Sequence, residues 1–212
     1  MACCYGHVEV LRQLLSRTDI QVNLATHAGA TPLYVACQNG RVDVVRQLLS
    51  RTDIQVNLAE QDGVTPLWMA CQTDHVDVVR QLLSRTDIQV NLAPQDGVTP
   101  LYLACQEGYM DVVCELLSRT DIQVNLATQD GRTPLHAACQ NGNVDVVRQL
   151  LSHTDTQVNI AASAQDGGLT PLQVARLLGH VDVVHLFTMR AGLAVEPRAT
   201  GLFWACFGGT MQ

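Results

Sequence analysis

Apolar residues return along this chain in a helical rhythm broken at regular places. Leu33, Ala36 and Cys37 stand at i, i+3 and i+4; after Gly40 the pattern resumes with Val42, Val45, Leu48 and Leu49, while Asp43, Arg46 and Gln47 take the other side. Each set shares one stripe of a helix. The first helix is short. Thr31 is placed to cap it, Pro32 suits a first turn that needs no N–H, and Gly40 suits an end where the chain must reach positive φ. Asp43 and Arg46 lie one turn apart, which predicts an ion pair. Ile54, Val56 and Leu58 then alternate with polar residues, predicting an extended segment, and Asp62-Gly63 predicts a turn. Two helices this short cannot bury both faces alone, so the unit must be stabilised by neighbours.

The neighbours are written in the same sequence. Thr-Pro-Leu begins at 31, 65, 99, 133 and 170, giving three intervals of 34 and one of 37, a period that marks a stacked array. Period alone would favour the tetratricopeptide class, but the residues decide otherwise. TPLHAA at 133–138, followed by NGNVDVVRQLL at 141–151, resembles the ankyrin repeat family, and the likeness extends over nearly the whole chain. The resemblance implies an all-α repeat solenoid of ankyrin-type helix-turn-helix units with short β-hairpin-like loops. One array is expected over 1–212: a partial unit at 1–28, full units at 29–62, 63–96, 97–130 and 131–167, a divergent unit at 168–198 and a degenerate partial unit at 199–212.

The chain departs from the family pattern in several places. Ser50-Arg51-Thr52-Asp53 stands where the family usually ends its second helix with glycine, and AASAQDGG at 161–168 carries three extra residues that should bulge the hairpin. Ala2-Cys3 aligns with Ala36-Cys37, so the chain opens in mid-unit, and TGLFWACFGG at 200–209 echoes TPLYVACQNG at 31–40. Both ends therefore lack the polar outer face an array needs. The expectation is a fragment of a longer array with Met1 an internal methionine; the alternative is that Phe203, Trp204 and Phe207 fold back as a cap.

Composition narrows the chemistry. The net charge is −7 and all 13 basic residues are arginine, which removes the P-loop lysine and Schiff-base chemistry. Each full unit sets Asp43, Asp53 and Asp62 against Arg46 and Arg51, a negative surplus that disfavours nucleic acid. No run of eighteen apolar residues predicts a membrane span, and the opening MACCYGHVEV lacks the pattern of a secretory signal, so an intracellular location, cytoplasmic or nuclear, is expected. Cys3, Cys37, Cys71, Cys105 and Cys139 recur every 34 residues at a site where a small apolar residue permits close helix approach. Stacked helices lie too far apart for disulfides along this ladder. Cys114 replaces an outward arginine and is the thiol expected to react with a probe. The histidines show no zinc-site spacing and no catalytic cluster, so no catalytic residue, metal or cofactor is expected. His7, His75 and His180 align at the start of the second helix and read as structural; for His136, the resemblance implies a hydrogen bond to a neighbouring unit.

The units can also be compared with each other. Residues 42–59 and 76–93 are identical over 18 positions, and the 110–127 copy differs at three, so the second helix and its loop are nearly frozen. Variation gathers elsewhere. The hairpin tips carry Glu60, Asp62 and Val64, then Asp96 and Val98, then Asp130 and Arg132. The motif-histidine position reads Tyr34, Trp68, Tyr102 and His136, and the end of the first helix reads Asn39, Thr73, Glu107 and Asn141. In the ankyrin family such positions line the concave, ligand-facing surface, which the resemblance implies here. Drift after duplication would also leave variation at loop tips, and the aromatic row suits either anchoring or packing between units.

The acidic tip row biases the choice of partner toward a basic or polar surface. The function expected is a non-enzymatic, monomeric module that binds another protein through its concave groove and hairpin tips, with no nucleic acid and no membrane as partner. The alternative is a regulatory or targeting fragment of a larger multidomain protein, with or without an enzymatic part.

Overall fold

A computed structural model of the chain describes residues 2–17, 19–163 and 167–190. Among the described residues it contains twelve α-helices and no strand. The first helices of successive pairs are α1 (Ala2–Tyr5), α3 (Pro32–Gln38), α5 (Pro66–Gln72), α7 (Pro100–Glu107), α9 (Pro134–Asn141) and α11 (Pro171–Leu177). The second helices are α2 (Val8–Leu15), α4 (Val42–Leu49), α6 (Val76–Leu83), α8 (Met110–Leu117), α10 (Val144–Ser152) and α12 (Val181–Arg190). Each first helix packs on the next first helix and each second on the next second, so two rows run side by side.

Local signals place the helix starts as expected. Thr31 Oγ1 accepts the Tyr34 N–H at 3.1 Å, Thr65 repeats this with Trp68 at 3.2 Å and Thr99 with Tyr102 at 3.0 Å. Proline follows each of these threonines at the first helical position. The core is a column of equivalents: Leu33, Leu67, Leu101 and Leu135 in one row, and Leu48, Leu82, Leu116 and Leu150 in the other, are buried. The ladder cysteines 37, 71, 105 and 139 are buried beside them and all are free thiols.

The second helix buries a wider arc than its sequence stripe suggests. Val44 is fully buried and Val42 only half-buried, so the buried face is Val44, Val45, Leu48 and Leu49. A helix sandwiched between two neighbours must be apolar toward both. The segment 54–58 also differs from expectation, because it runs through turns rather than extended backbone. Its polar groups are met by a side chain instead of a strand partner: Asn57 Nδ2 donates to Asp87 O at 2.7 Å, and Asn57 Oδ1 accepts the Gln89 N–H at 2.9 Å. Asn23, Asn91 and Asn125 make the same pair of bonds to the unit after each.

Where the family glycine is missing, Ser50 simply stays helical and Arg51 closes the loop. Its guanidinium grips Asp53 through two bonds of 2.9 Å and donates from Nη1 to Leu15 O at 3.2 Å, a terminal carbonyl of the preceding helix α2. Arg85 and Arg119 do the same for Leu49 and Leu83. On the outer helix face Arg46 pairs with Asp43 at 2.9 Å, an exposed contact worth little on its own.

The two end faces differ. Val10 is 51% exposed although its equivalent Val44 is fully covered, because the unit before a second helix is what covers this position. In the last described pair the repeated positions change character. Arg176 stands where the ladder has cysteine, Gln173 where Trp68 stacks, and Thr188 where Leu83 is buried. Residues 164–166 of the inserted loop, the 199–212 unit and the proposed capping residues Phe203, Trp204 and Phe207 lie outside the described residues.

Two stability measurements check this packing. Cys71→Ser should lower the urea midpoint by roughly 1–3 kcal/mol of stability, since a hydroxyl at that buried site would lack a partner. Thr156→Ile should raise it by about 1–2 kcal/mol, because Thr156 occupies the site of Ile54 and Ile88 with a buried hydroxyl that finds no hydrogen bond.

Candidate functional site

The hairpin tips form a stitched row. The Gln61 N–H donates to Ala28 O at 3.1 Å, the Gln129 N–H to Asp96 O at 2.9 Å, and the Ser163 N–H to Asp130 O at 2.8 Å. The Gln61 and Gln129 side chains reinforce the seam by donating to His27 O and Gln95 O. Such close passage explains the Asp-Gly signature. Gly131 has φ +75°, and a Cβ there would lie 2.8 Å from the Ser163 nitrogen. Arg132 Nη1 donates to Gln140 Oε1 at 3.2 Å, joining a tip to the end of a first helix, so tips and helix ends share one face.

Within the tips the predicted residues divide by role. Asp62, Asp96 and Asp130 are exposed. Glu60 turns back on its own loop, its Oε1 accepting the Asp62 and Val64 N–H groups at 2.9 and 3.2 Å. Asp96 Oδ1 accepts the Val98 N–H at 3.0 Å. Val64, Val98 and Arg132 are half-buried.

The motif-histidine row lies largely between units, so it offers little as a set of exposed anchors. Tyr34, Tyr102 and His136 are buried, while Trp68 is half-buried. Trp68 Nε1 donates to Val98 O at 2.7 Å, and His136 Nε2 reaches Leu169 O at 3.1 Å, the same job done by two side chains for the following tip. Backbone nitrogen can only donate, so the 3.0 Å contact from Thr133 N to His136 Nδ1 assigns the imidazole proton to Nε2. Burial, with help from the Arg132 charge and against the pull of Leu169 O, holds this histidine below its ordinary range and neutral. Burial also pushes the Tyr34 hydroxyl up, with Glu60 and Asp62 of the next tip adding to it.

At the helix ends, hydrogen bonds occupy the varying residues, within the helix for Asn39 and Thr73 and to the preceding unit for Asn141. Asn39 Nδ2 donates to Val35 O at 2.8 Å, Thr73 Oγ1 to Met69 O at 2.9 Å, and Asn141 Nδ2 to Gln106 O at 2.6 Å. Glu107 is exposed and accepts from Gln106 Nε2 at 2.9 Å. Their constant neighbours Gln38, Gln72 and Gln140 are exposed along the same face, a feature that variation between units does not mark. Also missed were Leu177 and Leu178, which occupy the places of Gln140 and Asn141 in the last pair. Aligning the fifth Thr-Pro-Leu with the others exposes that switch.

The remaining chemical candidates are structural. His75 Nε2 lies 3.3 Å from Gln38 O and His180 Nε2 2.9 Å from Gln140 O, each bridging back to the end of an earlier first helix. Asn143 and Arg41 bridge likewise, to Cys105 O at 2.9 Å and Cys4 O at 3.0 Å. Among the described residues no group of three or more His, Cys, Asp or Glu is placed to hold a metal, and no helix is long and apolar enough to cross a membrane. Burial raises every ladder thiol, Cys139 to about 12 and Cys37, Cys71 and Cys105 further. Cys114 is exposed, but partial burial and the neighbouring Asp111 and Glu115 raise it as well. Exposure makes it accessible to a probe, as expected, while the carboxylates oppose its thiolate. Under native conditions Cys114 should be alkylated before the ladder cysteines, with a rate that keeps climbing above the ordinary thiol range. Asp111→Asn should speed it at neutral pH, read by peptide mass spectrometry.

With this geometry in view, likeness to known proteins is specific. The model of the family described as ankyrin repeats, three copies, matches residues 1–59, 52–128 and 120–198. The crystal structure of EF0377, an ankyrin repeat protein, superposes with a TM-score of 0.81 at 21% identity, covering 88% of this chain and 94% of that one, a likeness of fold alone. No curated protein matches the chain. The matched segments span 1–198, the paired helices stacked in two rows, Thr-Pro caps and stitched hairpin tips of the described residues agree with them, and the chain belongs to the ankyrin repeat family.

Proposed function

We propose that this chain is a non-enzymatic module that binds another protein along the face made by the hairpin tips and the ends of the first helices. Ankyrin repeats in general are protein-protein interaction modules, and the family is typically non-enzymatic. The observation that carries the reading here is the acidic row: Asp62, Asp96 and Asp130 are exposed on successive tips, each of which is hydrogen-bonded to a neighbouring tip. Carboxylates held at fixed intervals on a rigid frame recognise a surface without first having to be ordered, which is where preorganised binding gains its affinity. The partner is a protein with a basic or polar surface. Glu107 and the exposed glutamines 38, 72 and 140 extend the polar rail beside the tips.

Three further points belong to the same reading. The buried aromatic and histidine row serves the frame, so its contribution to a partner is indirect. Nucleic acid is disfavoured by the charge of −7. The chain works as a monomer inside the cell, where its free cysteines stay reduced.

Replacing Asp62, Asp96 and Asp130 together by asparagine should leave the denaturation midpoint within about 0.5 kcal/mol of the parent, as for exposed residues generally. The same variant should capture its partner from a cell lysate more weakly than the parent does. Undiminished capture would move the binding surface away from the tips.

A further inference from the structure

Negative charge on the tip face is concentrated in two neighbouring units. The runs of tip and first helix at 60–75 and 94–109 carry Glu60, Asp62, Asp74, Asp96 and Glu107 and no arginine. The run at 26–41 before them carries Arg41 and no acid, and the run at 128–143 after them carries both Asp130 and Arg132. Asp74 is exposed and holds φ +54° where Gly40, Gly108 and Gly142 stand in other units, the one non-glycine at positive φ among the described residues. Between these acids in the chain stands Trp68, half-buried where Tyr34, Tyr102 and His136 of the same row are buried. Its Nε1–H donates to Val98 O at 2.7 Å, and the Val98 N–H donates to Asp96 Oδ1 at 3.0 Å. An indole and a carboxylate therefore bracket a single residue of the next tip. Gln72, one turn further along α5 on the side of Trp68, is exposed, so this side of the helix meets solvent. One unit earlier the Tyr34 hydroxyl, raised first by burial, is raised further by Glu60 and Asp62 of the next tip, so this row and the following tip are electrostatic neighbours.

We infer that Trp68 and Asp96 form a subsite for one arginine side chain of the partner protein, carried on an extended basic segment that lies across the tips. The inference rests on the proposed binding face and specifies what its centre recognises. A guanidinium is planar and weakly hydrated, so it can lie against the open part of the indole while its edge donates to the Asp96 carboxylate. A lysine ammonium is a compact and strongly hydrated charge, and it gains less from the same ring. The indole is already held by Val98 O and the carboxylate by the Val98 N–H, so neither has to be ordered when the arginine arrives. Asp62 on the tip of the same unit, Asp74 just beyond the end of α5 and Glu107 at the end of α7 are all exposed. They add negative charge at longer range, which favours further basic residues flanking the arginine. Recognition thus divides by distance: one arginine is read by contact, and its neighbours are read by charge.

The probe is a phage-displayed library of random linear peptides selected on the full chain, with enriched peptides then measured one by one. Trp68→His installs the residue of the equivalent site at 136, whose Nε2 already reaches the tip that follows it, so the fold is retained; denaturation midpoints check this for each variant. Enriched peptides should share an arginine, and their affinity should fall about fivefold or more in Trp68→His and about threefold or more in Asp96→Asn. Exchanging that arginine for lysine should weaken binding to the parent by about threefold or more and to Trp68→His by less, because the difference lies in the ring. Asp130→Asn, one unit further on, should matter less than Asp96→Asn. The subsite is overturned if the enriched peptides lack arginine, accept lysine equally, or bind Trp68→His as well as the parent. Peptides that fail in this way yet still respond to Asp62→Asn and Asp130→Asn would spare the wider binding face. No enrichment over an unrelated scaffold, or binding insensitive to every one of these acidic substitutions, would remove both.

Discussion

Everything in this molecule depends on one constraint: each helix pair is too small to hide its apolar surface and must lean on the pair before and after it. The constraint acts at two depths. Leucine columns supply the buried area, and a small side chain at 37, 71, 105 and 139 lets neighbouring first helices come close enough for those columns to meet. Cysteine fills that site because it is small and apolar when protonated, and burial keeps it protonated by raising its pKa. At Arg176 the condition of smallness fails, and the last described pair presents an outer face unlike those before it.

Close stacking creates a second problem, since short helices have many unpaired terminal groups for their length. The units settle it across their boundaries rather than within themselves. Asparagine amides span from one loop to the next with two bonds each, arginines reach back to carbonyls at the ends of second helices, and histidine, asparagine or arginine does so for first helices. Such bonds add direction to the non-directional burial of leucine. They set the register in which one unit meets another, and the regular spacing of the tips follows from it.

That regularity is what makes a few altered letters informative. On a face where every unit repeats the same backbone, a local change in side chain stands out. The exposed acidic tips and the exposed Leu177 and Leu178 are two such changes on one frame. Position alone did not distinguish them from the tyrosines and the histidine at 34, 102 and 136, which also vary yet are consumed by packing between units.

Helix starts at each Thr-Pro, the repeating unit, the buried cysteine ladder and the all-helical array follow from the sequence by itself, because caps and periodic stripes act over a few residues. The Asp-Gly tips were legible for the same reason. What only the tertiary structure decided is which side each ambiguous residue serves: Val44 rather than Val42 inward, Glu60 folded onto its own loop, Trp68 and His136 bonded to the next tip, residues 54–58 turned instead of extended. Apart from Glu60, whose bonds stay within its own loop, each of these depends on a neighbour about one repeat away along the chain. Local pattern carries no distance of that kind, and only the stacked units bring the two partners into contact.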